Sequence, residues 1–262
     1  MSELDRGSKQ ILEEFLRVFA ILARRMDNMR LDDANHLVKK CYLNYFVKAV
    51  RTFKAFALVA TAGYLHEAKI LARANFELLV DLLYLDKAPP ERSHMFWDYF
   101  DASAWRLMQN EAKLGASDAP ESDEEKRSLE TAKSEFCARY GLGKFPYHWS
   151  GKSLRHRAEE VDLLRTYLTT YHVQSDFVHG GPYSFASYMD FSEPGAYGLK
   201  IGPDWERASL VVGQACTDMM RCLVAVEEGL GLRSYEVVHA LYELYEAYMR
   251  ERGDTDQQQL TQ

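Results

Sequence analysis

The sequence predicts an all-α protein: a single helical-bundle domain of about seven to eight helices, with one long loop rich in aromatic residues, glycine and proline. Through most of the 262 residues, apolar side chains recur at steps of three and four, the period of one helix face. Glycine and proline interrupt this pattern at a few places. No internal repeat is found, so one domain over residues 1–252 is predicted, followed by a disordered tail at residues 253–262.

Four helices with short breaks are predicted for the N-terminal part of the chain. The first carries an apolar stripe made of Ile11, Phe15, Phe19, Leu22, Met26 and Met29. The second follows an N-cap at Asp32 or Asp33 and reaches about Ala62, and Gly63 separates it from the third, residues 64–87. The third must end before the next proline pair, because the residue ahead of a proline is pushed out of the helical region. Pro90 of that pair suits the first turn of the fourth helix, residues 91–113.

The C-terminal part alternates helices with irregular segments. A polar loop, residues 115–123, precedes a fifth helix at residues 124–140, and residues 141–153 are predicted to be irregular. One continuous helix is then predicted from an N-cap at Ser153 to its end at His179.

The next segment, residues 180–203, is too rich in glycine, proline and aromatic side chains for a helix. It is predicted to be a long loop with at most a short β-hairpin near residues 183–201. Asp204 is the predicted N-cap of a long helix that reaches about Gly229, and Ser234 is the predicted N-cap of the last helix.

Composition excludes several classes of protein. The net charge of −7 and the pI of about 5.7 leave no chain-wide basic surface for nucleic acid or anionic lipid. The longest apolar run, residues 55–65, is too short to span a bilayer, and the polar N-terminus lacks the layout of a signal peptide. The four cysteines show no zinc-ligand spacing. A cytoplasmic protein with reduced thiols and without a metal or cofactor is therefore predicted.

A narrow polar stripe runs along the helix that ends at His179. At about 100° per residue, Arg165, His172, Ser175 and Asp176 fall within about 60° of His179. Apolar residues flank this stripe on both sides, whereas a solvated helix face would be broad and polar. The stripe is therefore predicted to be partly buried.

The third helix repeats this design. Opposite its apolar arc it carries a polar stripe of His66, Lys69, Arg73, Glu77 and Asp81. Buried charges need partners, so the two stripes are predicted to face each other in a shared polar pocket. The expected partners of Arg73 and Glu77 are Tyr171, Ser175, His172 and His179. The loop that follows the pocket is expected to act as its lid.

Three short motifs resemble those of a bacterial family of unknown function. They are RANFE (residues 73–77), HWSG (residues 148–151), and Tyr171, Ser175 and His179 at four-residue steps with Gly180 directly after. The resemblance covers about residues 40–185, with the motifs in the right order. That family in turn looks related to the HEPN (higher eukaryotes and prokaryotes nucleotide-binding) helical domains.

Many HEPN domains are metal-independent ribonucleases that dimerise and use an Arg-x(4–6)-His pair on one helix. The resemblance therefore implies a homodimer that cleaves RNA, acting in phage defence or in a stress response. Arg165 and His172 have the required spacing, and His179 fits the motif of the closer family. In such a site histidine serves as the general base for a 2′-hydroxyl, and arginine holds the scissile phosphate.

A local basic patch, KSLRHR at residues 152–157, lies next to Trp149, Tyr147 and Phe145. Basic groups beside aromatic side chains suit single-stranded nucleic acid, and Trp149 and Arg155 are predicted to contact the ligand. The alternative is that the patch is only the solvated first turn of a helix.

Three functions from different classes remain open at this point. The first is the metal-independent ribonuclease. The second is a non-catalytic helical module that binds a small molecule, a nucleotide or a partner protein in the same polar pocket. The third is an interaction protein whose aromatic loop, residues 180–203, docks a partner. None of the three involves a membrane.

Overall fold

The computed structural model describes most of the chain, in six stretches. They are residues 3–27, 36–114, 123–190, 198–200, 202–205 and 207–260. Met29 of the predicted first stripe, the predicted N-cap at Asp32 or Asp33, nearly all of the predicted polar loop and the middle of the predicted aromatic loop lie outside the described residues.

Helices dominate the described residues, which confirms the predicted all-α fold. In chain order the elements are α1 (Arg6–Asp27), α2 (His36–Thr61), α3 (Leu65–Asp86), α4 (Pro89–Leu114), α5 (Asp123–Arg139), α6 (Leu154–Glu160), α7 (Leu164–Thr166), a π-helical turn (Tyr167–Tyr171), α8 (His172–His179), α9 (Pro182–Ser187), strands β1 (Met189–Asp190) and β2 (Gly198–Leu199), α10 (Ala208–Leu230) and α11 (Tyr235–Leu260). The first five helices lie close to the predicted ranges.

The centre of the fold is built from α2, α3 and α10, which pack against one another. Apolar residues of these helices form one buried cluster with those of α1 and α11. Within it the rings of Phe15, Phe19, Phe53 and Phe56 are in contact, with neighbouring centroids 5.3–6.1 Å apart. Burial of apolar side chains such as these is the dominant favourable contribution to folding.

Among the described residues, α10 is the one helix that is long and apolar enough to cross a membrane. Its side chains are mostly buried, and it packs on α2, α3 and α11. A helix that is apolar around most of its circumference is expected at the centre of a helical fold. Its packing is that of a core helix.

The predicted single helix from Ser153 to His179 is wrong, because the helix is interrupted at residues 161–163 and its continuation contains a π-helical turn. After α6, Asp162 adopts a left-handed backbone conformation with φ of 59°, and this ends the helix. After α7, the π-helical turn Tyr167–Tyr171 holds more residues per turn than an α-helix. A helical wheel drawn through the whole segment therefore has the wrong phase before His172.

The segment after His179 contains a short helix where only a loop with at most a hairpin was predicted. Gly180 ends α8 in the left-handed conformation, with φ of 63°. Pro182 then occupies the first position of α9, where its missing N–H costs nothing. The Asp176 carboxylate accepts a hydrogen bond from the Ser184 N–H at 3.0 Å and stabilises this start.

Strands β1 and β2 pair antiparallel, with Met189 opposite Leu199 and Asp190 opposite Gly198. This pairing lies in the range where a short β-hairpin was predicted. The pair is only two residues long on each side and leaves the all-α class unchanged.

Two C-terminal predictions need correction. Asp204 does not begin α10; its N–H donates to the Gly63 carbonyl at 2.8 Å, and the helix starts after Arg207, whose φ is 61°. Helix α11 continues to Leu260, whereas a disordered tail was predicted for residues 253–262. The tail contains no proline, and its consecutive glutamines are good helix formers, but it begins with Gly253, Asp254, Thr255 and Asp256, which are poor ones.

Candidate functional site

The polar stripe of α3 lies inward, against α8, α6 and the turn before α6, as predicted. At its centre, Arg73 Nε donates to Glu77 Oε1 at 3.0 Å and Arg73 Nη2 donates to the Tyr171 hydroxyl at 2.9 Å. That hydroxyl donates in turn to Glu77 Oε1 at 2.9 Å. Burial and the Glu77 carboxylate raise the pKa of Tyr171 to about 12, so the phenol stays protonated at neutral pH.

The N-terminal end of the stripe meets aromatic rings. His66 stacks on Phe177, with centroids 5.2 Å apart, and also contacts the ring of Tyr188 at 4.4 Å. Lys69 Nζ lies 4.2 Å from the centroid of Phe177. Burial and the nearby Lys69 charge lower the pKa of His66, which favours its neutral form.

The prediction that His172 and His179 lie in a buried pocket shared by the two polar stripes is wrong. Gln174 and Phe177 of α8 face the interior together with Tyr171 at the end of the π-helical turn, whereas His172 and His179 are exposed. Of the predicted partners of Arg73 and Glu77, only Tyr171 bonds them among the described residues. The packing face takes Tyr171 from one apolar flank of the stripe and Phe177 from the other, and the two histidines of the stripe face solvent.

The exposed side of α8 forms an open groove of about 440 Å³. Its lining residues are Leu168, Thr169, His172, Val173, Ser175, Asp176 and His179. The polar stripe of α8 therefore exists as one surface. Arg165 is exposed but does not line this groove, because the π-helical turn lies between it and His172. The Arg165–His172 pair is not brought together in a common cavity.

Trp149 is a core residue, so the prediction that it contacts a ligand is wrong. Only 4% of it is exposed, and its ring contacts those of Tyr84 and Phe96 at centroid distances of 5.6 and 5.8 Å. Arg155 is exposed on α6 but lines neither groove. The basic side chains of the patch that reach a cavity are Lys152 and Arg157.

That cavity is a second, larger groove of about 1460 Å³, between the C-terminal half of α4, α5 and the turn that leads into α6. Six basic side chains line it: Arg106, Lys113, Lys133, Lys144, Lys152 and Arg157. Three aromatic side chains line it as well: Trp105, Phe145 and Tyr147. None of its described lining residues is an aspartate or a glutamate. We call it the basic groove.

Two of the six cations have a carboxylate partner behind the groove wall. Arg157 Nε lies 2.8 Å from Asp81 Oδ1, and Lys152 forms an ion pair with Glu160. The other four have no carboxylate within salt-bridge distance among the described residues. The groove is therefore a local positive surface on a chain whose net charge is −7.

Asp81 also fixes the turn that forms the floor of the groove. His148 Nε2 lies 3.0 Å from Asp81 Oδ2, and His148 Nδ1 lies 2.9 Å from Ser150 Oγ. The order Asp81, His148, Ser150 resembles the Asp–His–Ser triad of nucleophilic enzymes. Ser150, however, is buried and does not line the groove, and its hydroxyl oxygen also accepts a hydrogen bond from the Lys152 N–H at 3.2 Å. The network positions the turn, and Ser150 is held away from solvent.

Sequence reasoning found only one edge of the basic groove, the patch at residues 152–157. Its other cations come from α4, α5 and residue 144, which are far apart in sequence. Their grouping depends on the packing of α4 against α5, which no local pattern predicts. Among the described residues there is no group of three or more metal-ligating side chains.

Comparisons with known proteins place these features in one family. Neither the search of curated proteins nor the search of solved structures gave a significant match. A family model described as "Family of unknown function (DUF5677)" matches residues 41–196, more than half of the chain. The matched range contains all lining residues of both grooves, together with Arg73, Glu77 and Tyr171. The chain therefore belongs to this family of unknown function.

Proposed function

We propose that the protein is a non-catalytic helical module that binds a polyanionic ligand in the basic groove. The observation that carries this proposal is the lining of the groove, with six cations and no described carboxylate, in a chain of net charge −7. The proposal keeps the binding-module function predicted from sequence. It moves the site from the α3–α8 pocket to the groove beside α4.

Electrostatics supports this assignment. Cations grouped in one cleft repel one another and destabilise the folded state until a counter-charge arrives. A cleft of one sign also focuses its field and accelerates the association of an oppositely charged ligand. Because Arg106, Lys113, Lys133 and Lys144 lack carboxylate partners among the described residues, a bound polyanion is the natural counter-charge.

The experiment is a binding titration with a labelled polyphosphate and a labelled oligonucleotide, read by fluorescence anisotropy at several salt concentrations. The double charge reversal Lys113→Glu/Lys144→Glu is expected to weaken binding by more than about tenfold and to reduce the dependence of log Kd on log salt. The matched control is Lys48→Glu/Lys54→Glu, two exposed positions on α2 outside the groove. If both double variants weaken binding equally, the groove is not the site.

Ribonuclease activity is the second candidate function, and the groove on α8 favours it. His172 and His179 lie on the same exposed side of α8, beside Ser175 and Asp176. Two imidazoles on one surface can act as general base and general acid. The position of Arg165, outside this groove, disfavours the Arg–His arrangement of HEPN nucleases. A homodimer and a role in phage defence or stress belong to this candidate.

A cleavage assay tests the second candidate. A pool of RNAs is incubated with the protein in the presence of EDTA, beside His172→Ala and His179→Ala. A ribonuclease would give fragments that disappear in one or both variants. Intact RNA in every reaction, or fragments that both variants still produce, would reject it. Light scattering of the parent protein reports in parallel whether it is a dimer.

A further inference from the structure

We infer that the ligand of the basic groove is single-stranded nucleic acid, with a base stacked on Tyr147 and the phosphates following Lys113, Lys133 and Lys144. This inference rests on the proposed polyanion binding and adds the chemical class of the ligand. Three properties of the groove lead to it: an exposed aromatic platform, a fixed backbone beneath that platform, and a size suited to a polymer.

Tyr147 is the platform. It is 91% exposed, the most exposed of the large apolar residues described, and it lines the basic groove. The guanidinium carbon of Arg106 lies 4.6 Å from the centroid of its ring and 4.9 Å from that of Phe145. A cation beside an exposed ring offers stacking to a base and charge to the adjacent phosphate.

The backbone under Tyr147 is held by side chains of α4. The Tyr99 hydroxyl donates to the Tyr147 carbonyl at 2.9 Å, and Arg106 Nη2 donates to the Pro146 carbonyl. Arg106 Nη1 donates to the Tyr99 hydroxyl at 3.1 Å, which closes the network. A platform on a fixed backbone loses little conformational entropy when a base stacks on it.

Aromatic and basic side chains alternate along the rest of the groove. The Trp105 ring contacts that of Phe145 at a centroid distance of 5.8 Å, and Lys133 Nζ lies 5.1 Å from the Trp105 centroid. Lys144 immediately precedes Phe145 in the chain, and both line the groove. Alternation of rings for the bases and cations for the backbone is how proteins bind single strands without reading sequence.

The size of the groove argues against the other polyanions. Its volume of about 1460 Å³ exceeds the ~300–1,000 Å³ of sites for single small ligands. A duplex keeps its bases stacked inside, where Tyr147 cannot reach them. An acidic peptide supplies charge but lacks a series of planar rings to stack. A flexible single strand of several nucleotides meets both the charge and the aromatic surface.

The test compares ligands and variants in one anisotropy assay. The probe is a labelled single strand of about a dozen nucleotides, as oligo-U and as oligo-dT. Competitors are a duplex of the same length, polyphosphate and polyglutamate. Tyr147→Ala is expected to weaken the binding of the single strand by about tenfold and to change the affinity for polyphosphate by less than about twofold. The matched control, Tyr235→Ala, removes an exposed tyrosine on α11 outside the groove and is expected to change neither.

The outcomes separate this inference from the proposed function. If no polyanion binds, or if Lys113→Glu/Lys144→Glu has no effect, both are rejected. If that charge reversal weakens binding but Tyr147→Ala does not, polyanion binding stands and the single-strand assignment is overturned. A duplex bound as tightly as the single strand overturns it too, and preferential binding of polyglutamate assigns the groove to an acidic protein segment. Comparison of oligo-U with oligo-dT tells RNA from DNA.

Discussion

One hydrogen bond joins Tyr171, the last residue of the π-helical turn before α8, to Glu77 of α3, and in it the phenol donates to the carboxylate at 2.9 Å. The same hydroxyl accepts from Arg73, so three residues close a ring across the helix interface. Arg73 and Glu77 belong to the RANFE motif, and Tyr171 belongs to the motif that ends at His179. Part of the sequence signature therefore forms a hydrogen-bonded network of three residues between two helices, which we call the clasp.

Removal of the Tyr171 hydroxyl tests this clasp. Tyr171→Phe is expected to lower the free energy of unfolding by about 1–2 kcal/mol, because Arg73 and Glu77 each lose a partner in a partly buried place. Urea denaturation measures this loss. Combined with Arg73→Ala, the losses should be non-additive, since both changes break the same network.

Two controls decide whether the loss of stability comes from the missing hydroxyl or from any change on this helix surface. Tyr167→Phe changes a tyrosine whose ring stacks on that of Tyr171 at 5.1 Å, and it is expected to be nearly neutral. His179 faces solvent, so His179→Ala and Arg73→Ala should be additive. Equal losses for Tyr167→Phe and Tyr171→Phe would show that the clasp contributes nothing.

Asp81→Asn is expected to destabilise the protein by about 3 kcal/mol, because it leaves the Arg157 guanidinium buried without a counter-charge. Arg157 is only 5% exposed, and the same carboxylate also bonds His148. Asp98→Asn is the matched control, since its partner Arg139 is largely exposed, and it should cost less than about 1 kcal/mol. Chemical denaturation of both variants measures the difference, and similar losses would contradict the buried role of Asp81.

The third helix shows what the sequence predicts well. Its apolar residues and its stripe, from His66 to Asp81, are separated on the helical wheel, and a wheel is accurate for one unbroken helix. The sequence also predicts that the stripe points inward, because charges bordered by apolar residues need partners. Arg73 and Glu77 were therefore correctly placed in a polar network, and Tyr171 was correctly named among their partners.

The rotation of α8 shows what local patterns leave undetermined. Tyr171 and Phe177 are buried whereas Val173 and Val178 are exposed, although all four are apolar, and only packing against α3 makes this selection. The left-handed Asp162 and the π-helical turn have no strong sequence signal. The basic groove was missed for a related reason: its cations share a surface only after α4, α5 and the turn have packed.

Gly229→Ala tests the packing of α10 against α2. A Cβ at Gly229 would overlap the ring of Tyr42, which is buried and donates its hydroxyl hydrogen to Asp86. The ring cannot move without breaking that bond, so we expect a net loss of about 2 kcal/mol despite the better helix propensity of alanine. Gly202→Ala is the control, because a Cβ there would have no atom of the described residues beyond its chain neighbours within 4 Å. Thermal unfolding of both variants should show a lowered Tm for Gly229→Ala alone.

The last prediction concerns Asp218, a carboxyl group of α10 that is only 4% exposed. Burial raises its pKa from the ordinary 3.8 to about 7, and the hydrogen bond from Gln214 Nε2 at 3.0 Å only partly offsets this effect. The folded state therefore binds this proton more tightly than the unfolded state. The resulting stabilisation is fully present below pH 3.8 and is lost as the pH rises through about 7.

Asp218→Asn removes the titration and keeps an oxygen that can accept from Gln214. The free energy of unfolding of the variant, minus that of the parent, is expected to increase by about 3 kcal/mol between pH 5 and pH 8. Urea titrations at several pH values measure this difference, in which groups common to both proteins cancel. Asp27→Asn, at the exposed last residue of α1, is the matched control for the loss of one carboxylate. Parallel curves for Asp218→Asn and the parent would mean that Asp218 is already ionised in the folded core at pH 5, and that burial does not control its proton.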